Sequence, residues 1–368
     1  MSTTPRMAPL FDALLTEKGS DLHLSAGYPP LGRVRGELKP LRETILTESE
    51  LEALLVELLS PEQRRQLTEE LDLDFSYNYG TKARFRANYF HKVTGLAAVF
   101  HPLPGKVPTL TELGLPDAVR KLAERRGGLV LITGSRGSGK STTLAAMLHH
   151  INSTRHAHIL TIEQPVEFVH EPLKSQVTQR EVGPDASSFA AALRSAGRED
   201  ANVLLVGELH DAGSLRLALE LASSGVLVLG TVQAPNAAAT IERILHAFPV
   251  EQQQQVRELL AEGLAGIVSQ HMLRSADGKG RVVAHEVLIG GGPIAVLIRD
   301  GQVSQLTGAL KEGQAQGMQT VDMHLEKLVT AGTVTPETAL ERAQDRESFA
   351  KTLQRLKPGF EPPEDAKA

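Results

Sequence analysis

The chain has 368 residues, a formal net charge of −5 and neither cysteine nor tryptophan. Disulfides and thiolate metal sites are thereby excluded, a reducing compartment fits, and a broad cationic footprint for nucleic acid is argued against, though a local basic patch is not. At 41% hydrophobic and 4% aromatic, the chain allows two or three domains whose cores rest on Leu, Val, Ile and Ala. The start MSTTPRMAPLFDALL lacks a basic-then-apolar leader pattern, and no apolar run approaches the roughly 18 residues that span a bilayer. The expectation is a soluble cytoplasmic protein that meets a membrane only through a partner.

Residues 8–102 read as a small mixed domain. FDALLTEKG is a short amphipathic helix closed by Gly19. SDLHLS alternates with period two, as a half-buried strand does, and GYPPLGRVRGEL adds a turn and a second strand. TESELEALLVELLSPEQRRQLTEEL gives helices with capping-type starts. LDFSYNYGTKARFRANYF is a strand, a turn at Gly80 and another strand, with GLAAVFHPL a third. Residues 103–116, rich in Pro and Gly, read as a linker. Residues 117–290 alternate strand and helix, which predicts a mostly parallel sheet of GLVLIT, HILTIE, NVLLVG and VLVLGT, with SLRLALELA a helix and RVVAHEVLI closing the region. Residues 291–356 are expected to be helical, GMQTVDMHLEKLVTAG most clearly, and the polar stretch 357–368 disordered.

The chemistry concentrates in the second region. Gly134 to Ser141 matches G-x-x-x-x-G-K-[ST] in full, between an apolar strand and a helix with Leu144, Met147, Leu148 and Ile151 on one face. Glycines let the backbone curl so that successive N–H groups face phosphate oxygens, Lys140 reaches the β- and γ-phosphates, and Ser141 binds Mg²⁺. Gly134, Ser135, Arg136, Gly137, Ser138, Gly139, Lys140, Ser141 and Thr142 are therefore candidate ATP contacts. NVLLVGELHD ends an apolar strand in Gly207-Glu208, and a carboxylate at a strand tip beside such a loop can hold Mg²⁺ or polarise the attacking water. Glu163, ending HILTIE, could do the same, although spacing alone makes it and Glu167 ordinary surface carboxylates around Pro165. Arg84 and Arg86 share one strand face and suit phosphate oxygens, where a solvated face is the simpler reading. His149, His150, His156 and His158 have no carboxylate pattern that completes a metal site.

In their order, SDLHLSAGYPP, GSGKSTTLAAML, HILTIEQPVEFVHE, SQVTQREVG, LLVGELHD, GTVQAPNAAATIERILHAFP and GMQTVDMHLEKLV resemble the PilT-like ATPases of type IV pili, within the wider type II/IV secretion ATPase family. The resemblance spans about residues 8–345. It implies an α/β chain: an N-terminal PAS-like α+β domain at 8–102 followed by a RecA-like P-loop ATPase domain at 117–290 with C-terminal helices. It also implies a homo-hexameric ring at the cytoplasmic, inner-membrane base of the pilus machine. ATP hydrolysis there drives domain motion and pilus retraction, with an inner-membrane platform protein and a paralogous pilus ATPase as partners and no nucleic acid. On this resemblance Glu208 is the catalytic carboxylate and Glu163 its acidic partner. Ser141 and Glu208 are the Mg²⁺ ligands, and Arg84 and Arg86 meet the nucleotide. The pattern departs at Gln164 (Asp in the family), at Val226 and Gln233 (both His), at His210 (Arg), at Gly213 (Glu) and at Arg136 in the loop. PIAVLIR stands at 293–299 where the family has AIRNLIR. Gln233 keeps a donor and an acceptor and can contact the γ-phosphate; Val226 has neither. A weakly or non-hydrolysing paralogue acting as an accessory ring subunit is the alternative these departures favour, and a nucleic-acid translocase on the same core is a third.

Overall fold

The computed structural model describes residues 5–363. The chain falls into two compact units, one built on residues up to Lys106 together with Gln164–Val169, the other on Val107–Glu163 together with the chain from His170 onward.

The first unit contains α1 (Ala8–Thr16), β1 (Asp21–Ser25), β2 (Leu31–Val34), β3 (Glu37–Pro40), α2 (Glu48–Val56), α3 (Pro61–Glu70), β4 (Asp72–Tyr79), β5 (Ala83–Lys92) and β6 (Gly95–Leu103). Its six strands form an antiparallel sheet in the order β3-β2-β1-β6-β5-β4. Both following helices start with reciprocal capping boxes, Thr47 with Glu50 and Ser60 with Gln63, which satisfy N–H groups that a helix start leaves open. The α1 helix ends differently from the expectation. It stops at Thr16, and Lys18, not a glycine, takes the left-handed position at φ 51°. Gly19 serves close packing instead, because a Cβ there would stand 2.5 Å from the buried Leu14 Cδ1. The core also corrects a composition argument. The scarce aromatics gather here, with Phe11, Phe75, Tyr79, Phe85, Tyr89 and Phe100 all buried together, and Phe11 stacks on Phe85 at 4.3 Å.

The second unit holds α4 (Asp117–Ala123), β7 (Gly128–Gly134), α5 (Lys140–Thr154), β8 (His158–Glu163), β9 (Gln176–Glu181), α6 (Phe189–Ala196), β10 (Val203–Val206), α7 (Ala212–Ser223), β11 (Leu227–Val232), α8 (Ala237–His246), α9 (Val250–Gly263), β12 (Leu264–Arg274) and β13 (Arg281–Ile289). The seven strands run in the order β13-β12-β7-β11-β10-β8-β9. All neighbours are parallel except the β12–β13 edge pair. Separate apolar clusters cover the sheet: Leu131, Leu160 and Leu204 belong to one, Val130, Ile159 and Leu205 to the other. That two-sided burial explains why β10 and β11 are apolar throughout. Two strands, β9 and β12, were not among those read from the sequence. α10 (Gly292–Arg299) and α11 (Leu306–Glu312) join one of these clusters through Ile294, Ile298 and Leu306. α12 (Val321–Thr330), α13 (Pro336–Leu340) and α14 (Arg346–Leu356) form a separate cluster over Leu273 and Ala284 of the β12–β13 pair. Of the stretch 357–368, residues 357–363 carry neither helix nor strand, with Phe360 against this last cluster, and 364–368 lie outside the described residues.

Candidate nucleotide site

Because β7, β8, β10 and β11 are mutually parallel, their C-terminal ends share one edge of the sheet. In such sheets the crevice beyond the strands' C-terminal ends is where ligands bind. Four candidate groups follow those ends: the phosphate loop after β7, Glu163 at the end of β8, Glu208 after β10 and Gln233 after β11.

The loop is held from both sides. Thr133 Oγ1 donates to Ser269 Oγ at 2.8 Å, both buried, and fixes the end of β7 to β12. Gly134 has φ 141°, and a Cβ on it would lie 2.5 Å from the Gln270 carbonyl oxygen, so only glycine fits. Gly139, at φ 93°, is the N-cap of α5 and supplies no side-chain cap. The first-turn N–H groups of α5 are thus left to face the loop hollow, where the helix dipole favours an anion. Lys140 folds back over the loop, donating to the Gly134 carbonyl at 3.1 Å and the Ser135 carbonyl at 2.9 Å. Its ammonium therefore stands over the curled backbone. Ser135, Arg136 and Gly137 form the exposed tip, Ser138 is buried beneath it, and Ser141 and Thr142 are half-buried.

Glu208 sits in a pinned turn. The Gly207 N–H donates to the Ile162 carbonyl at 2.8 Å, the Leu209 N–H to the Thr231 carbonyl at 2.9 Å, and Thr231 Oγ1 to the Gly207 carbonyl at 2.6 Å. Gln233 Nε2 then donates to Glu208 Oε1 at 2.8 Å. The two residues are joined because β10 and β11 are neighbours. Glu163 Oε1 lies 3.4 Å from Gln179 Nε2 of β9. A Cβ on Gly207 would come 3.4 Å from the Glu163 backbone, so the ends of β8 and β10 approach closely. Gln179 and Thr231, which orient these carboxylates, escaped the sequence reading. Thr231 is the penultimate residue of a buried strand and Gln179 lies on a polar edge strand, neither of which signals a site.

Arg84 and Arg86 do share a face of β5, and each meets a polar group on the neighbouring β4: Arg84 Nε donates to Asn78 Oδ1 at 2.8 Å, and Arg86 lies 3.5 Å from Asp74. The two positions where the family has His are far apart: Gln233 follows the C-terminal end of β11, beside Glu208, whereas Val226 precedes β11 at its opposite end, roughly 20 Å along the strand. There Val226 packs beside the core, and its carbonyl accepts from the Gly128 N–H at 3.1 Å. His210 is exposed, with Asp211 at 4.0 Å. Among the tempting histidines, His150 meets Glu124 at 3.2 Å, and His158 bridges the Glu199 carbonyl and Thr178 Oγ1. No three His, Asp or Glu side chains among the described residues are grouped to hold a metal ion.

A loop whose glycines leave room for phosphate, a lysine over it, hydroxyls at the helix start and carboxylates on the same edge make an oxygen-rich donor set. That set suits a nucleotide phosphate with a hard divalent cation.

Comparison with known proteins agrees with this arrangement. The family model "Type II/IV secretion system protein" matches residues 106–356. The chain is 46% identical over 330 residues to the type IV pilus retraction ATPase PilT of Pseudomonas aeruginosa, covering 90% of this chain and 96% of that one. It is 38% identical over 331 residues to the type IV pilus ATPase PilU of the same organism, covering 90% and 87%. A crystal structure of the pilus retraction motor PilT with bound ADP superposes with a TM-score of 0.86 at 41% identity, covering 96% of this chain and all of that one.

Proposed function

The chain belongs to the type II/IV secretion system protein family, and from that premise we propose that it is an ATPase whose hydrolysis drives type IV pilus retraction and so twitching motility. The observation that carries this reading is the assembly, at one sheet edge, of the phosphate loop with a carboxylate, Glu208, hydrogen-bonded to Gln233.

In this reading the α5 N-terminus and Lys140 hold the β- and γ-phosphates. Ser141 and Glu208 would ligate Mg²⁺, which would offset phosphate charge when bound. Glu208 accepts a proton from, or aligns, the attacking water, and the second carboxylate Glu163 supports it. Gln233, tied to Glu208, faces the γ-phosphate and can exchange that bond when the phosphate leaves. Arg84 and Arg86 remain candidate phosphate contacts on the strength of the resemblance alone. No helix among the described residues is long and apolar enough to cross a membrane. On the resemblance to the pilus ATPases, we place the protein in the cytoplasm, as a homo-hexamer working on an inner-membrane platform protein.

The test is steady-state ATPase activity and mass by light scattering on the purified full chain with ATP and Mg²⁺. Six-fold rings that turn over ATP are expected. A monomer without turnover would sink the reading.

A second reading has its own observation. Where the family carries an ionisable histidine, Gln233 offers Glu208 a neutral amide, and PilU gives a relative whose name differs from the retraction motor's. That favours an accessory ring subunit with weak hydrolysis. Gln233→His separates the two. An imidazole placed against the Glu208 carboxylate has its pKa raised above about 6.5, so it is protonated on the acid side and pairs with Glu208 there. For a motor with Gln233 at the reacting centre, kcat should change by roughly a few-fold and acquire a new ionisation near pH 7, activity falling as pH falls. A pH–rate profile that overlays the parent's removes Gln233 from the mechanism.

A further inference from the structure

A buried polar path between the phosphate loop and the C-terminal helices has no task in the reading above. Gln270 of β12 is 1% exposed. It meets both ends of the loop. Its main chain pairs in register with Gly134, and its side-chain Nε2 donates to Thr143 Oγ1, in the first turn of α5, at 2.7 Å. The same Nε2 lies 3.3 Å from His285 Nε2 on β13. The main-chain N–H of His285 donates to His324 Nδ1 of α12 at 2.9 Å, and the two rings stack at 5.4 Å. The His285 carbonyl accepts from Gln319 Nε2 at 3.0 Å. Burial holds the His285 imidazole well below its usual range, at about 3, so it is neutral near pH 7, and in the tautomer protonated at Nδ1 its Nε2 accepts from the Gln270 amide.

This arrangement is poor as plain core. Gln270 Oε1 and His285 Nδ1 are buried without a hydrogen-bond partner. An unmatched buried amide oxygen is a burden on stability that a methionine of similar size would not carry. Thr143, for its part, does not need Gln270 to stay satisfied, since a threonine hydroxyl can turn to the carbonyl four residues back, here Gly139. The contact therefore changes where the first turn of α5 points rather than whether it forms.

We propose that Gln270 is a positioning residue for ATP turnover: by holding Thr143 it aims the helix start that carries Lys140, Ser141 and Thr142, and it ties that aim to helix α12 through His285. The inference rests on the phosphate-loop reading above.

The test uses the full chain with Gln270→Met, the near-isosteric Thr143→Val, and both together. It reads kcat, KM for ATP, affinity for a fluorescent ADP analogue, and Tm. Each single change should lower kcat or nucleotide affinity about ten-fold, with Tm level or higher in Gln270→Met, and the double variant should be no worse in kcat or affinity than either single, because both remove one contact. Unchanged kcat and affinity in a folded Gln270→Met protein overturn the proposal. So do losses that add fully in the double variant. If Gln270→Met does not fold, Thr143→Val decides alone, and parent-like kinetics there overturn it. Lys140→Ala is run alongside: if it binds the analogue as tightly as the parent, the loop reading itself has failed and takes this inference with it.

Discussion

Lys140→Ala should abolish tight ATP binding while leaving the fold intact. The ammonium is seated on the curled backbone of the loop, through the carbonyls of Gly134 and Ser135. Against a triphosphate it makes charge-assisted bonds, which are about twice as strong as neutral ones. Losing them should weaken binding by about 100-fold or more, since each about 1.4 kcal/mol is a factor of ten. The cost to stability should be small, because Lys140 is half-exposed and the loop is also fixed by Thr133 and Ser269. Titration with a fluorescent ATP analogue reads this directly. Binding within a few-fold of the parent means that the phosphates sit elsewhere.

Glu208→Gln should separate binding from chemistry. The amide keeps the size of the side chain, and its oxygen still accepts the 2.8 Å bond from Gln233, so the turn between β10 and β11 should hold. What is lost is a negative charge and a base. General-base and electrostatic contacts of this kind are worth about 10²–10⁴ in rate, so kcat should fall by at least about 100-fold with ATP affinity nearly unchanged. The clean readout is single-turnover hydrolysis beside equilibrium binding. Parent-like turnover would remove Glu208 from the mechanism; equal losses in binding and rate would make it a ligand rather than a base.

The residues that declare themselves in the sequence are those whose backbone or position leaves few choices. The phosphate loop is legible because Gly134 and Gly139 occupy conformations that side chains rarely adopt. Glu208 is legible because a carboxylate directly after a fully apolar strand has little reason to be there otherwise. The partnership of Glu208 with Gln233 is not, because it comes from the adjacency of β10 and β11, which strand order decides and local pattern does not. Val226 shows the converse. It stands seven residues from Gln233 in the sequence, yet a strand puts its two ends at opposite edges of the sheet. β9 escaped notice because, as an edge strand, it reads QVTQRE, without the apolar run of a central strand. β12 escaped because Ser269, Gln270 and His271 interrupt its apolar run, and two of these contact the loop strand or helix. In the first unit a chain-wide average hid the aromatic core, since composition carries no information about where scarce residues collect.

The position of β7 has a consequence for how the protein comes into being. The strand that carries the phosphate loop has no partner close in sequence: β11 pairs with it roughly a hundred residues later and β12 later still. During synthesis, therefore, the finished G-x-x-x-x-G-K-S segment leaves the ribosome long before anything can hold it. Gly134 cannot be pressed against the Gln270 carbonyl until β12 has been made. Nucleotide affinity is a late property of the nascent chain, and ATP can select only molecules whose sheet has already closed from β8 to β12.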